Sequence, residues 1–156
     1  MKRVLVVEDY EDVREMLKIL LESEDFHVLE AATGAEALTA VKNGRPDVIL
    51  MDLALPGFDG FETIRRVRKI DGFQNTPIIV LTAYNGRSTY ETASRAGANF
   101  FMPKPIDFDE LADLLKEILI NRDSASHKYK RSAAHRAVIR SDTPTRNLKP
   151  EVRWTI

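Results

Sequence analysis

Residues 48–52 read VILMD, an unbroken run of four apolar residues that ends at the acid Asp52. Apolar residues without polar alternation are typical of a strand covered on both faces, as in a parallel sheet. Similar short runs occupy residues 4–7, 78–81 and 99–102. Polar side chains follow each of these runs. Glu8 and Asp9 come directly after the first run and Thr82 directly after the second, and Lys104 lies two residues after the third.

Helical patterns lie between these runs. The first helix has Val13, Met16, Leu17, Leu20 and Leu21 at helical spacing, and a short second strand is predicted at 26–29. Thr33 and Glu36 predict a capping box at the second helix, which Asn43-Gly44 should end. Further helices are predicted at 59–70, at 87–96 and after Asp107, which Glu110 follows at capping-box spacing. Five β–α units with short connections predict a doubly wound α/β fold, a five-stranded parallel sheet flanked by five helices.

Composition narrows the class of protein. The chain has 156 residues, 44% hydrophobic and 30% charged, and no cysteine, which excludes disulfides and thiolate metal sites. No apolar stretch approaches the ~18 residues of a membrane span, so we expect no membrane insertion and a cytoplasmic location. The net charge of −1 hides an acidic body, net −7 over residues 1–120, and a basic tail, net +6 over residues 121–156.

This charge division predicts a domain at 1–121 and a basic C-terminal tail at 122–156. The tail has few apolar residues and is too short for a complete DNA-binding domain. A solvated or loosely docked tail is the first interpretation, a partner-binding segment the second and nucleic-acid binding the third. Any nucleic-acid contact would be a salt-dependent contact of Lys and Arg with phosphates.

The polar residues that follow the strands should meet, because ligands of open parallel sheets bind at the carboxyl ends of the strands. The meeting groups are the carboxylates of Glu8, Asp9 and Asp52, the Thr82 hydroxyl and the Lys104 ammonium. Mg²⁺ prefers such oxygen ligands, and lysine suits a phosphoryl oxygen. A carboxylate can itself be the nucleophile and form an aspartyl-phosphate, with metal and lysine neutralising the developing charge.

Each residue alone has a plainer interpretation. Asp9 could cap the first helix, and Asp52 could be a loop acid before a turn. Thr82 could be structural and Lys104 merely solvated. Their coincidence at one edge of the sheet favours a common site.

The motifs that surround these residues resemble those of response-regulator receiver domains of bacterial two-component signalling. They read VVED at 6–9, MDLALPGFDG at 51–60, LTA at 81–83 and FMPKP at 101–105. The resemblance covers about residues 1–121, and four motifs in order after successive strands are a specific combination. It implies the flavodoxin-like strand order 2-1-3-4-5.

The resemblance also implies a role for each site residue. Asp52 would accept a phosphoryl group from a histidine kinase or phosphotransfer protein. Asp9 would bind Mg²⁺ directly, Glu8 mainly through water, and Ala54 through its backbone carbonyl. Lys104 would contact the phosphate.

Further implications concern the switch. Thr82 would move toward the phosphoryl group and Phe101 would rotate inward, reshaping a face formed by helix four, strand five and helix five. A downstream protein, or a second copy in a homodimer, would bind that face. A cis peptide is expected before Pro105.

Independently of the resemblance, helix four offers only Tyr90, Ala93 and Ala96 for burial, which predicts a mobile element.

The predicted function is a phosphorylation-activated switch without a dedicated output domain, or a phosphate sink in a phosphorelay. It is not a metabolite-converting enzyme, although it would catalyse its own phosphotransfer and slow dephosphorylation. One rival is a phosphoaspartyl hydrolase, but such enzymes commonly have a second acid where this chain has Ala54. Other rivals are a transcription regulator that binds DNA through the tail and a receiver regulated without phosphate.

Overall fold

The computed structural model describes residues 1–84 and 86–124. Strands and helices alternate along this part of the chain. The strands are β1 (Arg3–Val7), β2 (His27–Ala31), β3 (Val48–Asp52), β4 (Ile78–Thr82) and β5 (Phe100–Pro103). The helices are α1 (Glu11–Ser23), α2 (Gly34–Gly44), α3 (Gly60–Arg68), α4 (Arg87–Ala96) and α5 (Phe108–Ser124).

The five strands form one parallel sheet in the order β2-β1-β3-β4-β5, which confirms the predicted fold and strand order. Val7 lies beside Met51, and Asp52 beside Leu81. Every carboxyl end therefore points to the same edge. The chain leaves β1 toward β2 on one side and continues from β3 on the other, so a crevice is expected where the order reverses, between β1 and β3.

Two apolar clusters, one on each face of the sheet, explain the unbroken apolar runs. Val48 and Leu50 of β3 pack with α1 and α5, whereas Ile49 and Met51 pack with α2, α3 and α4. All four side chains are fully buried. Since each buried Val or Ile stabilises the fold by roughly 1.5–3 kcal/mol, a polar residue inside such a run would be costly on either face.

The observed strands extend past the predicted ends. β3 includes Asp52 and β4 includes Thr82, where the sequence predicted that each strand would stop one residue earlier. The ladder continues because it uses backbone N–H and C=O groups, which polar residues also have. β2 likewise runs from His27 to Ala31 rather than over 26–29. α3 ends at Arg68, two residues before its predicted end, and a turn follows in which Ile70 N donates to Val67 O at 3.0 Å.

Helix ends agree with the sequence in part. Thr33 caps α2 by accepting from Glu36 N at 3.1 Å, but the Glu36 carboxylate accepts from Ala32 N at 2.8 Å instead of Thr33 N. Asp107 accepts from Glu110 N at 3.0 Å, as its spacing predicted.

Gly44 does not take the left-handed conformation that a glycine at a helix end favours. Gly44 is the last residue of α2, and Arg45 has the positive φ, 46°. A Cβ atom on Gly44 would lie 2.4 Å from Leu29 Cδ1, so any other residue there would push aside the Leu29 side chain of β2.

The boundary predicted at residue 121 falls inside α5, which continues to Ser124. The division into a domain and a tail stays a prediction, because residues 125–156 lie outside the described part. None of the helices within the described ranges has the length and apolar character that crossing a bilayer requires.

Candidate functional site

Four predicted site residues meet at the carboxyl edge of the sheet. Glu8 and Asp9 follow β1, Asp52 ends β3, and Lys104 follows β5. One carboxylate oxygen from each of Glu8, Asp9 and Asp52 lies within 4.8 Å of the others. The group lies at the carboxyl ends of β1 and β3, where the topology predicts ligand binding.

Lys104 connects this acidic cluster to the far side of the sheet. Its Nζ donates to Glu8 Oε2 at 2.7 Å and to Asp52 Oδ2 at 2.9 Å. β5 lies two strand spacings from β3, roughly 10 Å, which a long side chain can cross. The lysine is thus held between two acids and is not merely solvated. Although burial alone would lower the pKa of Lys104, its bonds to Glu8 and Asp52 outweigh that effect and raise it.

Glu8 is fully buried, and each of its polar groups has a partner. Oε1 accepts from Tyr10 N at 3.2 Å, Oε2 accepts from Lys104, and the backbone N–H donates to Ala31 O at 3.0 Å. Burial raises the pKa of Glu8, the nearby Asp52 adds to this, and the Lys104 bond opposes it.

Asp9 does not cap α1. The N-cap is Tyr10, which makes no side-chain capping bond. Among the described residues Asp9 Oδ1 is buried without a hydrogen-bond partner. A buried carboxylate oxygen normally has a partner, so this one is open to a ligand. Three clustered carboxylates with one such oxygen fit a hard divalent cation.

The loop after β3 holds Asp52 tightly. Asp52 Oδ1 accepts from Ala54 N at 3.0 Å, and Gly60 N donates to Leu53 O at 3.0 Å. A Cβ atom on Gly60 would lie 2.3 Å from the carbonyl oxygen of Asp52, so only glycine permits this approach. Ala54 is exposed beside Asp52.

Thr82 lies at the same edge, but its hydroxyl is engaged within its own loop. Thr82 Oγ1 accepts from Tyr84 N at 2.9 Å and donates to Tyr84 O at 3.2 Å. Tyr84 itself is 65% exposed. The structure therefore brings Thr82 to the edge that holds the acidic cluster, with its hydroxyl bonded to Tyr84.

Phe101 is half-buried and packs against α4. Its ring meets Tyr90 edge to face, with centroids 5.0 Å apart and an interplanar angle of 85°. Phe100 on the same strand packs against the opposite cluster. The Lys104–Pro105 peptide is cis, as the resemblance implied.

Sequence reasoning missed Arg14. Its Nη1 donates to the backbone carbonyl of Glu8 at 2.9 Å, and its Nε lies 3.5 Å from Glu30 Oε1. An arginine in the first turns of an amphipathic helix is usually solvated, and no motif distinguishes this one.

Comparison with known proteins identifies the family. The family model described as "response regulator receiver domain" matches residues 4–116, and the chain belongs to that family. It is therefore a receiver domain of two-component signalling, a class of signalling switches.

Individual relatives agree with this placement. The sporulation initiation phosphotransferase F of Bacillus subtilis is 34% identical over 118 residues, which are 76% of this chain and 94% of that protein. The DNA-binding response regulator MtrA of Mycobacterium leprae is 33% identical over 149 residues, 86% of this chain and 65% of that protein. The chain spans only 50% of some other curated relatives.

A solved structure has the same fold. The chemotaxis response regulator CheY4 of Vibrio cholerae is 31% identical with a TM-score of 0.72, covering 76% of this chain and 98% of that one.

Proposed function

We propose that this chain is a phosphorylation-activated switch that accepts a phosphoryl group on Asp52. The observation that carries the proposal is the position of Lys104 Nζ, 2.9 Å from Asp52 Oδ2 and 2.7 Å from Glu8 Oε2. A cation held against the acceptor carboxylate is placed to bind a phosphoryl oxygen once that group arrives. The donor is a phosphohistidine of a histidine kinase or phosphotransfer protein.

Mg²⁺ is the proposed cofactor. Asp9, with its open Oδ1, and Asp52 would hold it directly, together with the backbone carbonyl of Ala54. Glu8 would act mainly through a water molecule, as the resemblance implies; its side chain is fully buried and, like Asp52, has both carboxylate oxygens engaged in hydrogen bonds. When bound, the cation supplies positive charge toward the phosphoryl oxygens.

Transfer is a displacement at phosphorus. A carboxylate oxygen of Asp52 forms a bond to phosphorus while the bond from phosphorus to the donor nitrogen breaks. The imidazole keeps the electron pair of that bond and is afterwards protonated by water. Lys104, kept cationic by its two acidic partners, exchanges its bond with Asp52 for one with a phosphoryl oxygen. Glu8 holds the other side of the lysine.

Signalling requires a second state of the fold. Thr82 would leave its two bonds with Tyr84 to donate its hydroxyl to the phosphoryl group. Phe101 would rotate inward from its contact with Tyr90, and α4 would shift with it. α4 buries only Tyr90, Ala93 and Ala96, which makes its movement inexpensive.

Output would pass through the face formed by α4, β5 and α5, to a downstream protein or to a second copy of this chain. Residues 1–121 would be the signalling unit and 122–156 an accessory tail. Turnover of a metabolite is not part of this function.

The direct test is intact-mass measurement after incubation with phosphoramidate, a small donor with a phosphorus–nitrogen bond. One added phosphoryl group is expected, and it should require both Mg²⁺ and Asp52. Asp52→Asn is the test variant. Asp59→Asn, which removes a nearby helix-capping carboxylate, is the matched control and should still be labelled. Labelling of Asp52→Asn, or no labelling where a characterised receiver domain is labelled, would contradict the proposal.

A further inference from the structure

Arg14 links three parts of the molecule beside the acidic cluster. It lies on α1, and its side chain is only 16% exposed. Nη1 donates to the backbone carbonyl of Glu8 at 2.9 Å, and Nε lies 3.5 Å from Glu30 Oε1 on β2. Glu30 in turn accepts from Lys18 Nζ at 2.6 Å through its other oxygen. The guanidinium is therefore anchored by the Glu30 carboxylate on one side and donates to the Glu8 carbonyl on the other.

The carbonyl that Arg14 binds belongs to the peptide that joins Glu8 to Asp9. A peptide unit is planar, so holding its oxygen sets the direction of the Asp9 N–H and the position of the Asp9 Cα atom. Asp9 has little else to hold its carboxylate, because Oδ1 has no partner among the described residues. The bond from Arg14 thus limits where the Asp9 carboxylate can lie.

The charge of Arg14 would act in the opposite direction. A fixed positive charge near three carboxylates weakens the binding of a cation there. Glu30 offsets part of that charge, and the bond to the site itself is made to a neutral carbonyl. A positional role and an electrostatic role therefore predict effects of opposite sign when the arginine is removed.

We propose that Arg14 is a positioning residue for the divalent cation. It holds the Glu8–Asp9 peptide in the orientation that aims Asp9 at the site. This inference rests on the proposed function, since it assumes that the acidic cluster binds a cation. Lysine cannot substitute, because its single nitrogen lacks the planar fork that contacts the Glu8 carbonyl and Glu30 together.

The test is a titration of the full chain with Mg²⁺, followed by ¹H–¹⁵N NMR shifts. Arg14→Met and Arg14→Lys should each raise the Kd for Mg²⁺ about tenfold, the low end of the effect seen when a residue that holds a metal ligand in place is removed. Lys18→Met is the matched control. This variant also removes one positive charge and one partner of Glu30, one turn further along α1, but Lys18 has no bond to Glu8 among the described contacts. The Kd of Lys18→Met should therefore stay within about twofold of the wild-type Kd.

Several outcomes would overturn the inference. A lower Kd for Arg14→Met, or a wild-type Kd for Arg14→Lys, would show that charge and not position is what matters. If circular dichroism shows that both Arg14 variants are unfolded, Glu30→Asp keeps the negative charge but shortens the side chain, which releases the second anchor of the guanidinium. Its Kd should then rise about threefold, and an unchanged Kd would overturn the inference.

Other outcomes would contradict the cation site itself and can be distinguished from a failure of the role of Arg14. Absence of a saturable Mg²⁺ shift in the wild type, or a shift that survives Asp9→Asn, would contradict the cation site itself. Binding that is lost in Asp9→Asn but unchanged in the Arg14 variants would contradict only the role of Arg14.

Discussion

Replacing Asp9 by asparagine should stabilise the fold when no divalent cation is present. Its carboxylate has an oxygen within 4.8 Å of oxygens of both Glu8 and Asp52. At that distance two unit charges interact by ~3.5 kcal/mol at an effective dielectric constant of about 20, and by ~0.9 kcal/mol in water. Asp9 is repelled by the carboxylates of Glu8 and Asp52 and attracted by the Lys104 ammonium. The net interaction energy is therefore about that of one repelling pair. We therefore expect the free energy of unfolding of Asp9→Asn to exceed that of the wild type by about 1–3 kcal/mol.

Mg²⁺ should narrow or reverse this difference. A ligand that binds only the folded state stabilises it by about 1.4 kcal/mol when present at tenfold its Kd. The wild type should gain this amount. Asp9→Asn should gain less, because it lacks the carboxylate with the open oxygen.

The assay is urea unfolding followed by circular dichroism at pH 7, first in EDTA and then in Mg²⁺. Asp12→Asn removes an exposed carboxylate from the same end of α1, outside the cluster, and should change stability by less than about 0.5 kcal/mol. If Asp9→Asn is less stable than the wild type in EDTA, or if Asp12→Asn gains as much, mutual repulsion of the clustered acids is refuted.

Four further outcomes are expected. Gly60→Ala should destabilise the fold by more than about 2 kcal/mol and slow the phosphorylation of Asp52, because the new methyl group would clash with the Asp52 backbone. Urea unfolding measures the stability and intact mass the phosphorylation. Wild-type values in both assays would show that the loop can shift. Glu8→Gln should raise the free energy of unfolding in EDTA at pH 7, by an amount that shrinks as the pH falls toward 4.5. The pKa of Glu8 is raised in the folded state, so protonation of Glu8 stabilises the fold at low pH. This stabilisation is lost as the pH rises and the buried carboxylate becomes charged. A gain that grows on acidification would contradict the burial argument. Arg68→Met should lower the free energy of unfolding by about 3 kcal/mol, because Arg68 donates to four backbone and side-chain oxygens. Burial lowers the pKa of Arg68 only to about 10, so the guanidinium stays charged at pH 7. Thermal or urea unfolding measures the loss, and wild-type stability would mean that water replaces these bonds. Amides of α4 should exchange faster than those of α5 in the unphosphorylated protein and slow after phosphorylation, whereas equal protection by hydrogen-exchange mass spectrometry would argue against α4 as the moving element.

Much of the fold could be predicted because the buried parallel strands are uniformly apolar. The run that ends at Asp52 required cover on both faces, and the structure provides it with two clusters. The ends of strands were harder to predict, since the ladder depends on backbone groups. Asp52 and Thr82 therefore belong to their strands and do not merely follow them.

The site could be predicted as a set of residues but not as a set of contacts. Topology brings Glu8, Asp9, Asp52 and Lys104 to one edge, and the order of strands follows from the resemblance. Which acids Lys104 would bond depends on side-chain conformations that no sequence pattern specifies. The individual roles of these residues stay predictions until the phosphorylation and titration experiments are done.

Long-range contacts of single residues left no signal in the sequence. Arg68 belongs to a basic segment with Arg65 and Arg66, and all three suit a solvated helix face. In the structure only Arg68 turns inward, where it donates to the carbonyl oxygens of Gly97, Phe73 and Thr76. The contact of Gly44 with the Leu29 side chain left no signal for a related reason, because Leu29 is distant in sequence.

The bond between Lys104 and Glu8 joins residues 96 positions apart and reaches across the sheet from the edge strand β5. During synthesis on the ribosome, Glu8 and Asp52 emerge long before their lysine. Until β5 has been made and has docked, a growing chain would have the acceptor carboxylate without its cationic partner. We therefore expect an unfinished or truncated chain to be a poor substrate for the kinase, so that competence to receive a signal coincides with completion of the fold.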